Sequence, residues 1–508
     1  MSKLKIASVL FLLSTFFLKF SSMIRDIVIS GLYGDSYMAD AYFAAMTIPN
    51  AIVLFMLTGM KDAFLPSYYK YESLGKGFSH LTNIVKGTFW ISLVISIIGA
   101  VISPWLVQLL YPEFAEHAHG MEIAAWTAAL YFLSISLVGV NAVYEGYFDS
   151  RKKFSFSTFS QTIVVLTTIS FALIFHNSLG IYSVPLGYVT GTFFSFLLKL
   201  FYMNPKKFMD WKQKANWTEI KQFYWIFVPV GLTIAVGQIN LTVNMLFASR
   251  LGEGAVSNLN YAFRLVNIPQ AIFGVTIATI IYPILAKAKA DQDQNAFRLG
   301  MERGLSYMFM FLAPTVIGMM VLMESIVRLT YERGAFTESA TALTSEYALF
   351  YIGSVFFYSI QAVVAKGFYT LEKGHYMMRI GMLSVVINIV SNYVLSKIMG
   401  PSGLALSTSI VGMIYSMITF ITLYKISSGF NLKYIGKEYG KMVIATAIMY
   451  LALYGANLYL SPSLLGDIFY LAVMIVLGAV VYFIGLYILK TTSLSQLLAR
   501  GGKQTSSS

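Results

Sequence analysis

Apolar runs long enough to cross a lipid bilayer recur along almost the whole chain of 508 residues. A transmembrane helix needs roughly 20 mainly apolar residues, and only helices and closed barrels span a membrane. The runs are long and uninterrupted rather than short and alternating, which favours helices over a barrel. Charged residues make up 12% of the chain, about half the share found in a soluble domain. The sequence therefore predicts an all-α polytopic membrane protein.

We expect about fourteen transmembrane helices from the number of such runs. They are expected to begin near residues 6, 37, 86, 120, 156, 181, 220, 257, 305, 345, 380, 403, 442 and 465. The first run, 6–17, continues into a full span without a small-residue cleavage site. It is therefore interpreted as a retained helix rather than a signal peptide.

The connections between these helices alternate between basic and weakly charged segments. Six of them are rich in Lys and Arg: 70–86, 151–153, 206–214, 287–298, 366–379 and 425–441. Because basic loops stay on the cytoplasmic side, both termini are predicted to lie in the cytoplasm. The net charge of +13 is then attributed to topology and to attraction for anionic lipids, and nucleic-acid binding is not expected.

One internal repeat sets the expected domain organisation. Residues 34–52 (GDSYMADAYFAAMTIPNAI) match residues 254–272 (GAVSNLNYAFRLVNIPQAI) without gaps. Six spans fit between the two copies, so each half is predicted to begin a six-helix bundle of the same orientation, with a substrate path between the halves. The predicted segments are an N-terminal lobe (1–203), a basic cytoplasmic linker or hinge (204–217), a C-terminal lobe (218–430), a lipid-facing accessory helix pair (431–492) and a disordered cytoplasmic tail (493–508).

Charged side chains interrupt the first span at a depth where each charge costs about 2.5 to 3.5 kcal/mol. Lys19, Arg25 and Asp26 fall within one sector of a helical wheel, and Arg264 lies in the corresponding helix of the second half. If the halves face each other, these residues converge on a central cavity whose excess positive charge suits an anionic diphosphate. The alternative is that Arg25 and Asp26 form a local pair and that Arg264 binds backbone carbonyls freed by Pro269.

Two prolines and an aspartate have either functional or local explanations. Pro49 and Pro269 each remove a backbone donor from a span. They are predicted to kink their helices and to let a bundle rock between two forms, and fixed curvature is the alternative. Asp40 starts the second span, where a carboxylate either caps the helix N-terminus or contributes to the substrate site.

Charged residues at the inner ends of the second and fourth spans are interpreted as structural. Lys61 and Asp62 are expected to snorkel or to form a pair. Glu145, Asp149 and Arg151 are expected to form a network at the membrane interface. Neither group is assigned to a binding site.

Polar side chains in later spans form a candidate cation site. Asn244, Asn388, Asn392 and Thr408 offer amide and hydroxyl oxygens, which a small cation accepts as ligands. Because no carboxylate lies among them, hydrogen bonding between helices is the preferred explanation. The chain has no cysteine and shows no P-loop, HExxH or GxSxG motif. No enzymatic activity and no cofactor are therefore predicted.

Several longer segments carry a family pattern. They are IRD (24–26), ADAYFAAMTIPN (39–50), AFLP (63–66), YAFRLVNIPQAIFGV (261–275), ERGAF (332–336), TALTSEYALFYIG (341–353), VVINIVSNYVL (385–395) and GPSGLALSTS (400–409). With these segments, the chain from its first to its twelfth span resembles the MurJ/MviN family. Members of that family are lipid II flippases of the multidrug/oligosaccharidyl-lipid/polysaccharide exporter superfamily.

The resemblance implies two six-helix lobes, a central cationic cavity and two extra helices that frame a groove for a lipid tail. The implied substrate is an undecaprenyl-diphosphate-linked cell-wall precursor, lipid II for peptidoglycan synthesis, turned from the inner to the outer leaflet by alternating access. Arg25 and Arg264 stand at positions of family cavity arginines, Asp26 and Asp40 at acidic positions, and Lys19 where an arginine is usual. The implied partners are membrane lipids, the lipid-linked oligosaccharide and glycan-synthesis enzymes.

Four positions depart from the family pattern. Val53 replaces a cavity arginine, Thr58 a glutamate, Asn267 an acidic residue and Asn244 an aspartate linked to cation binding. The missing charges leave another undecaprenyl-linked glycan, an exopolysaccharide or teichuronic-type repeat unit, as an alternative substrate. A MATE-like drug exporter and a non-transporting scaffold for glycan-assembly enzymes are further alternatives. Coupling to a proton gradient, to sodium or to the membrane potential stays open, and the lost aspartate disfavours sodium.

Overall fold

The computed structural model describes residues 3–203, 208–427 and 429–497, which are helical almost throughout and contain no β-strand. We number the helices in chain order: α1 (Lys3–Tyr33), α2 (Tyr37–Ser73), α3 (Gly77–Leu110), α4 (Gly120–Ser150), α5 (Phe154–Leu179), α6 (Ser183–Met203), α7 (Trp217–Ala248), α8 (Ala255–Val266), α9 (Val275–Ala290), α10 (Gln294–Tyr331), α11 (Glu338–Thr370), α12 (Gly374–Met399), α13 (Pro401–Ile426), α14 (Leu432–Asn457), α15 (Pro462–Leu465) and α16 (Asp467–Ile488). A π-helical segment, Gln270–Gly274, lies between α8 and α9.

Eleven helical runs in the described part of the chain are long and apolar enough to cross a membrane. One of these runs, Phe154–Met203, contains both α5 and α6. The predicted class, an all-α polytopic membrane protein, is confirmed, whereas the predicted number of about fourteen spans is not. The starts predicted near residues 37 and 120 coincide with the first residues of α2 and α4.

The corner between α1 and α2 is tight because it contains a glycine. Gly34 has a φ of 58°, in the left-handed region. A Cβ atom at this position would lie 2.4 Å from the carbonyl oxygen of Ala335. Any other residue would therefore meet both backbone strain and a backbone clash. Ala335 in turn donates its N–H to the Gly31 carbonyl at 2.8 Å, so residues 333–336 pack on this corner.

Two compact units divide the chain. The first comprises Met1–Ser257 and Arg333–Phe336, and the second comprises Asn258–Glu332 and Thr337–Ser508. Helix α7 packs against α2 and α3 in the first unit. The division therefore falls after α7, while the lobe boundaries proposed from the sequence lie before it and stay a prediction.

The segment after α6 is docked on the first unit. Its residues 204–207 lie outside the described part of the chain. Phe208 is buried and stacks on Tyr144 with ring centroids 4.1 Å apart, and its carbonyl accepts a 2.6 Å hydrogen bond from the Tyr144 hydroxyl. Lys86 donates to the carbonyls of Trp211 and Gln213 at 3.0 and 2.5 Å. Residues 208–216 therefore form a docked strap, where the sequence suggested a linker or hinge.

The accessory helices α14 and α16 pack on α10 in the second unit. Their apolar side chains form one buried cluster that includes Met310, Met442 and Met474. The Tyr482 hydroxyl adds a polar contact by donating to the Met310 carbonyl at 2.7 Å. Burial of side chains from all three helices thus holds the predicted accessory pair against the rest of its unit.

The chain folds back after α16. Glu438 of α14 is buried, and its carboxylate accepts hydrogen bonds from the Thr492 hydroxyl at 3.1 Å and from the Ser493 N–H at 3.3 Å. The first residues of the predicted tail are therefore bound to the second unit. Residues 498–508 of that tail lie outside the described part of the chain.

Candidate functional site

Arg25 and Asp26, the central pair of predicted site residues, form an ion pair on α1. The Asp26 Oδ1 atom accepts hydrogen bonds from Arg25 Nη2 at 2.9 Å and from Arg25 Nε at 3.1 Å. The Asp26 side chain is 8% exposed and the Arg25 side chain 22%. A guanidinium carries five N–H donors, of which this pair uses two. The local pairing considered as an alternative is thus present, and the arginine keeps its capacity to bind an anion.

Three tyrosines from different helices surround this pair. Tyr42 and Tyr131 lie close enough to Arg25 for their hydroxyl groups to interact with its charge. These two hydroxyls share a 3.0 Å hydrogen bond, and Tyr188 stacks on Tyr131 with ring centroids 4.5 Å apart. Phenol rings with polar ends, beside a guanidinium, suit a polar anionic headgroup. Sequence reasoning missed Tyr131 and Tyr188, because no pattern in α4 or α6 links them to α1.

Lys19 is exposed on α1, six residues before Arg25. Ser22, between them, donates its hydroxyl to the Leu18 carbonyl of its own helix at 2.9 Å. Arg25 and Asp26, which share the predicted sector of α1 with Lys19, are paired with each other. Lys19 is therefore the residue of that sector whose charge is most accessible.

Arg264 belongs to the second unit and lies partly buried in the last turn of α8. Its Nε atom donates to the side-chain oxygen of Asn260, one turn earlier, at 2.5 Å. Asn267, just beyond the helix, donates its side-chain amide to the Phe263 carbonyl at 2.7 Å. One of the contacts of Arg264 is therefore to its own helix, directly before the point where that helix ends.

The two prolines predicted to kink their helices lie in different surroundings. Pro49 is buried inside the continuous helix α2. Pro269 lies between the end of α8 and the π-helical segment Gln270–Gly274. Proline lacks an N–H, and a π-turn departs from the regular hydrogen-bond ladder. The regular helix is therefore interrupted beside Pro269 and uninterrupted at Pro49.

Asp40 lies in the first turn of α2, but its carboxylate caps a different helix. Oδ2 accepts a hydrogen bond from the Gly254 N–H at 2.6 Å, and Oδ1 accepts one from the Ser257 N–H at 2.7 Å. These N–H groups stand at the start of α8, where a helix leaves its first donors unpaired. Asp40 is 2% exposed. It serves here as a cap for α8, and its contribution to a substrate site stays a prediction.

The two corners of the sequence repeat are held together within the first unit. Gly34 and Gly254 occupy matching positions in the repeat, and both have a positive φ, 58° and 83°. Asp40 binds the Gly254 corner, and Glu253 accepts a hydrogen bond from the Tyr37 N–H at the Gly34 corner, at 2.9 Å. Each corner is therefore fixed by a carboxylate that comes from the other.

The four polar residues of the candidate cation site are all buried. Asn244 belongs to the first unit, and Asn388, Asn392 and Thr408 to the second. Asn392 donates to the Asn388 side-chain oxygen at 3.4 Å, and Thr408 donates to the Leu404 carbonyl at 3.1 Å. These two bonds lie within α12 and within α13. In the parts of the chain that the structure describes, no group of three or more His, Cys, Asp or Glu side chains could hold a metal ion.

A buried ion network joins four helices of the first unit. Glu145 of α4 lies at its centre, 3.0 Å from the Lys61 ammonium of α2 and 3.4 Å from the Lys199 ammonium of α6. Lys61 also lies 3.9 Å from Asp149, and Gln161 of α5 donates to Glu145 at 2.6 Å. Sequence reasoning expected an interfacial network here and missed Lys199 and Gln161. The signal for the lysine was its isolation, since it is the one charge in the sequence of α6.

An apolar groove of about 440 Å³ opens in the second unit. Its walls include Met319 of α10, Met449 of α14 and Met474 of α16, together with Gly318 and Gly478. Methionine side chains are flexible and polarizable, and they adapt to ligands of irregular shape. The groove therefore suits a branched hydrocarbon chain.

Most of the chain matches one protein family. The family model described as "Lipid II flippase MurJ" matches residues 29–489. The chain belongs to the MurJ family. The lipid II flippase MurJ of Burkholderia cenocepacia is 25% identical over 417 residues, which cover 80% of this chain and 81% of that protein. The probable lipid II flippase MurJ of Vibrio cholerae is 26% identical over 403 residues, which cover 76% of each chain.

Solved structures agree with this assignment. A lipid II flippase MurJ in an inward closed conformation matches with a TM-score of 0.81 and 25% identity, covering 94% of this chain and 98% of that one. An inward-facing multidrug resistance MATE family transporter of the MOP superfamily matches with a TM-score of 0.66 and 13% identity, covering 81% and 94%. The second likeness concerns the fold alone. The predicted MurJ family is confirmed.

One departure from the MurJ pattern has a clear structural setting. Val53, where the family resemblance implies an arginine, is packed inside α2 and 2% exposed. A long charged side chain would not fit in this close-packed position without rearrangement. In this MurJ family member the position therefore contributes packing rather than charge.

Proposed function

We propose that this chain moves lipid II from the inner to the outer leaflet of a bacterial cell membrane by alternating access. The match to the MurJ family over residues 29–489 is the observation that carries the proposal. The eleven apolar helical runs make the chain a multi-pass membrane protein. We place both termini in the cytoplasm, because the basic connections between helices favour that side.

The diphosphate of the substrate binds the cationic side chains predicted from the sequence. Arg25 has N–H donors beyond the two that Asp26 occupies, and their planar arrangement matches phosphate oxygens. Lys19, exposed on the same helix, adds positive charge, and a contribution of Arg264 stays a prediction from the sequence. Asp26 orients the Arg25 guanidinium and keeps its charge compensated before the ligand arrives. An excess of positive charge favours a diphosphate over the cationic drugs that a MATE-like exporter would carry.

The polyprenyl tail occupies the apolar groove between α10, α14 and α16. Its lining is mainly methionine, leucine, isoleucine and phenylalanine side chains, with only Thr315 and Tyr482 carrying a polar group, so it offers few hydrogen-bond partners to a polar ligand. A hydrocarbon chain needs no such partner and binds through close packing. The accessory helices therefore hold the lipid portion of the substrate.

Transport requires that the contacts between the two repeat corners break and re-form. The bonds from Asp40 to Gly254 and Ser257, with the bond from Glu253 to Tyr37, fix these corners in the present state. The helix interruption beside Pro269 supplies a place where a helix bends at low cost, and Pro49, whose missing N–H weakens the continuous helix α2, supplies a second. The cycle thus alternates between a state with these bonds and a state without them.

Replacement of a depleted flippase tests the proposal. In a bacterial host depleted of its own lipid II flippase, this chain should restore growth, and Arg25→Ala should not, because the diphosphate loses its bidentate partner. Arg250→Ala is the matched control, since Arg250 is an exposed arginine of the same unit that pairs with Glu113 at 3.3 Å. Immunoblots of membrane fractions establish equal amounts of each variant.

Two results would contradict the proposal at different points. Full rescue by Arg25→Ala would remove Arg25 from the substrate site. Failure of the unaltered chain to rescue, with the protein present in the membrane, would point to a different undecaprenyl-linked glycan as its substrate.

A further inference from the structure

The ion network of the first unit takes no part in the transport steps proposed above. Its charged members are Lys61, Glu145, Asp149 and Lys199, two ammonium groups and two carboxylates that balance to no net charge. The exposure of these side chains changes along the network, from 0% at Lys199 and 2% at Glu145 to 25% at Lys61 and 19% at Asp149. One end is therefore sealed inside the helices, and the other end is reached by water.

The carboxylate at the sealed end is fully compensated. Glu145 Oε2 lies 3.0 Å from the Lys61 ammonium and accepts a 2.6 Å hydrogen bond from Gln161. Its Oε1 atom lies 3.4 Å from the Lys199 ammonium. Opposite charges and donors directed at a carboxylate all favour its ionised form. Glu145 therefore remains an anion.

The carboxylate at the open end is held much less firmly. Asp149 Oδ2 lies 3.9 Å from Lys61, beyond hydrogen-bond distance, and Ser157 supplies a hydroxyl to this carboxyl group. Asp149 Oδ1 is buried and has no hydrogen-bond partner among the described residues. A buried charged oxygen without a donor costs free energy that protonation removes. A proton is therefore accommodated more easily on Asp149 than elsewhere in the network.

Neighbouring titratable groups do not take over this role. Asp62, beside Lys61 on α2, is exposed, and Arg151, two residues beyond Asp149, pairs with Glu72 at 2.8 Å. Tyr188 of α6 also faces the network through Glu145. The groups that α5 contributes, Ser157 and Gln161, are uncharged.

We propose that Asp149 is a proton-binding site, and that the first unit takes up one proton there from the cytoplasmic solution in each transport cycle. The step is a proton transfer from hydronium to the Asp149 carboxylate, in which one O–H bond breaks and one forms. The part of the proposal that concerns transport rests on the proposed function. The proton site itself does not.

One tyrosine lies near both the network and the proposed substrate site. Tyr188 lies near both Glu145 and Arg25, and it stacks on Tyr131 beside Arg25. A proton on Asp149 adds one positive charge to the network, and an added positive charge favours an anion at Arg25. Uptake of the proton and uptake of the diphosphate therefore support each other, and release of one weakens the binding of the other.

Infrared spectroscopy tests the proton site without any transport assay. The full chain, reconstituted in lipid membranes, should show a carboxylic acid C=O band that appears as the pH is lowered from neutral, and Asp149→Asn should lack this band. Glu72→Gln, which removes another carboxylate near the same helix ends, should keep it. Absence of the band in the unaltered chain, or its persistence in Asp149→Asn, would overturn the proposal.

If Asp149→Asn folds poorly, a second variant still tests the proton site. Lys61→Gln removes the positive charge nearest to Asp149, so the midpoint of the same band should move to higher pH by about 1 unit or more. An unchanged midpoint would show that the band does not belong to Asp149.

Transport measurements then test the coupling. Lipid II flipping in proteoliposomes should depend on internal pH in the unaltered chain and be independent of it in Asp149→Asn. Equal pH dependence in both would overturn the coupling. If no lipid II moves at all, the proposed function fails, and the infrared band still decides whether the proton site exists.

Discussion

Replacing Asp40 by asparagine tests the contact that holds the two repeat corners together. The carboxylate accepts two backbone hydrogen bonds, from Gly254 at 2.6 Å and from Ser257 at 2.7 Å. Asparagine has one acceptor oxygen, and its amide nitrogen would face the second N–H group. At least one of the two bonds is therefore lost, and a buried backbone N–H is left without a partner.

The size of the effect follows from the kind of bond that is lost. A hydrogen bond to a charged group contributes about 1.5 to 3 kcal/mol. We call the form with the Asp40 hydrogen bonds closed and the form without them open. The free energy that favours the closed form should fall by about 2 kcal/mol, which corresponds to a change of roughly 30-fold in the ratio of open to closed forms. The open form should remain the minor one, because the Tyr37 to Glu253 bond and the packing of Ala335 on Gly34 persist.

The chain offers a direct assay because it contains no cysteine. Ser257 is fully buried, and Ser257→Cys keeps the backbone N–H that Asp40 binds. A maleimide should label this cysteine about 30-fold faster in Asp40→Asn than in the Asp40 background, since labelling requires opening. Labelling in denaturant gives the intrinsic reactivity of the thiol. Glu253→Gln is the control, because an amide oxygen still accepts the Tyr37 N–H, and its effect should stay below about 5-fold. Equal rates with and without Asp40→Asn would refute the reasoning.

Two further substitutions test the groove and the ion network. Gly318 lines the groove, and a Cβ there would meet no atom within 4 Å outside its adjacent residues and the nearby backbone of its own helix. Gly318→Phe should therefore fold with an unchanged melting temperature and lose most of its ability to restore growth. The control is Gly455→Phe, which is equally open on α14, lies outside the groove lining and should restore growth normally. Equal rescue by both variants would exclude the groove as part of the substrate site. Lys199→Met should destabilise the protein by about 3 kcal/mol, because it removes a partner from buried Glu145, and thermal unfolding in detergent measures the loss. Lys153→Met is the control, because Lys153 is exposed and lies over the Tyr202 ring. This substitution should lower the free energy of unfolding by less than about 1 kcal/mol. Similar losses for both substitutions would show that the network does not stabilise the fold.

The helical class of the fold was predictable because apolar length is a local property of the sequence. The starts near residues 37 and 120 were correct for the same reason, since each follows a polar turn. The division after α7 was not predictable, because it depends on which helix faces α7 packs against α2 and α3. The repeat located the corners at Gly34 and Gly254, but a sequence match does not reveal that each copy caps the other.

The candidate site was predictable only where a charge interrupts an apolar run. Arg25 and Asp26 were visible in this way, and they are paired in the structure. Tyr131 and Tyr188 were not, because aromatic residues are common in membrane spans and these two come together only through the packing of α4 against α6. Asp40 was identified as a helix cap, but its target lies 214 residues away at Gly254, a distance over which helix signals carry no information.

The docked strap has a mechanical consequence for the whole chain. Phe208 is anchored on Tyr144 by ring stacking, and Lys86 clamps two carbonyls of the strap. A segment fixed in this manner is stiff and deforms little. The compliant element is instead the interrupted helix around Pro269, where the ladder of backbone bonds is already incomplete. A small molecule that made this interrupted helix rigid would therefore inhibit transport without competing with the substrate.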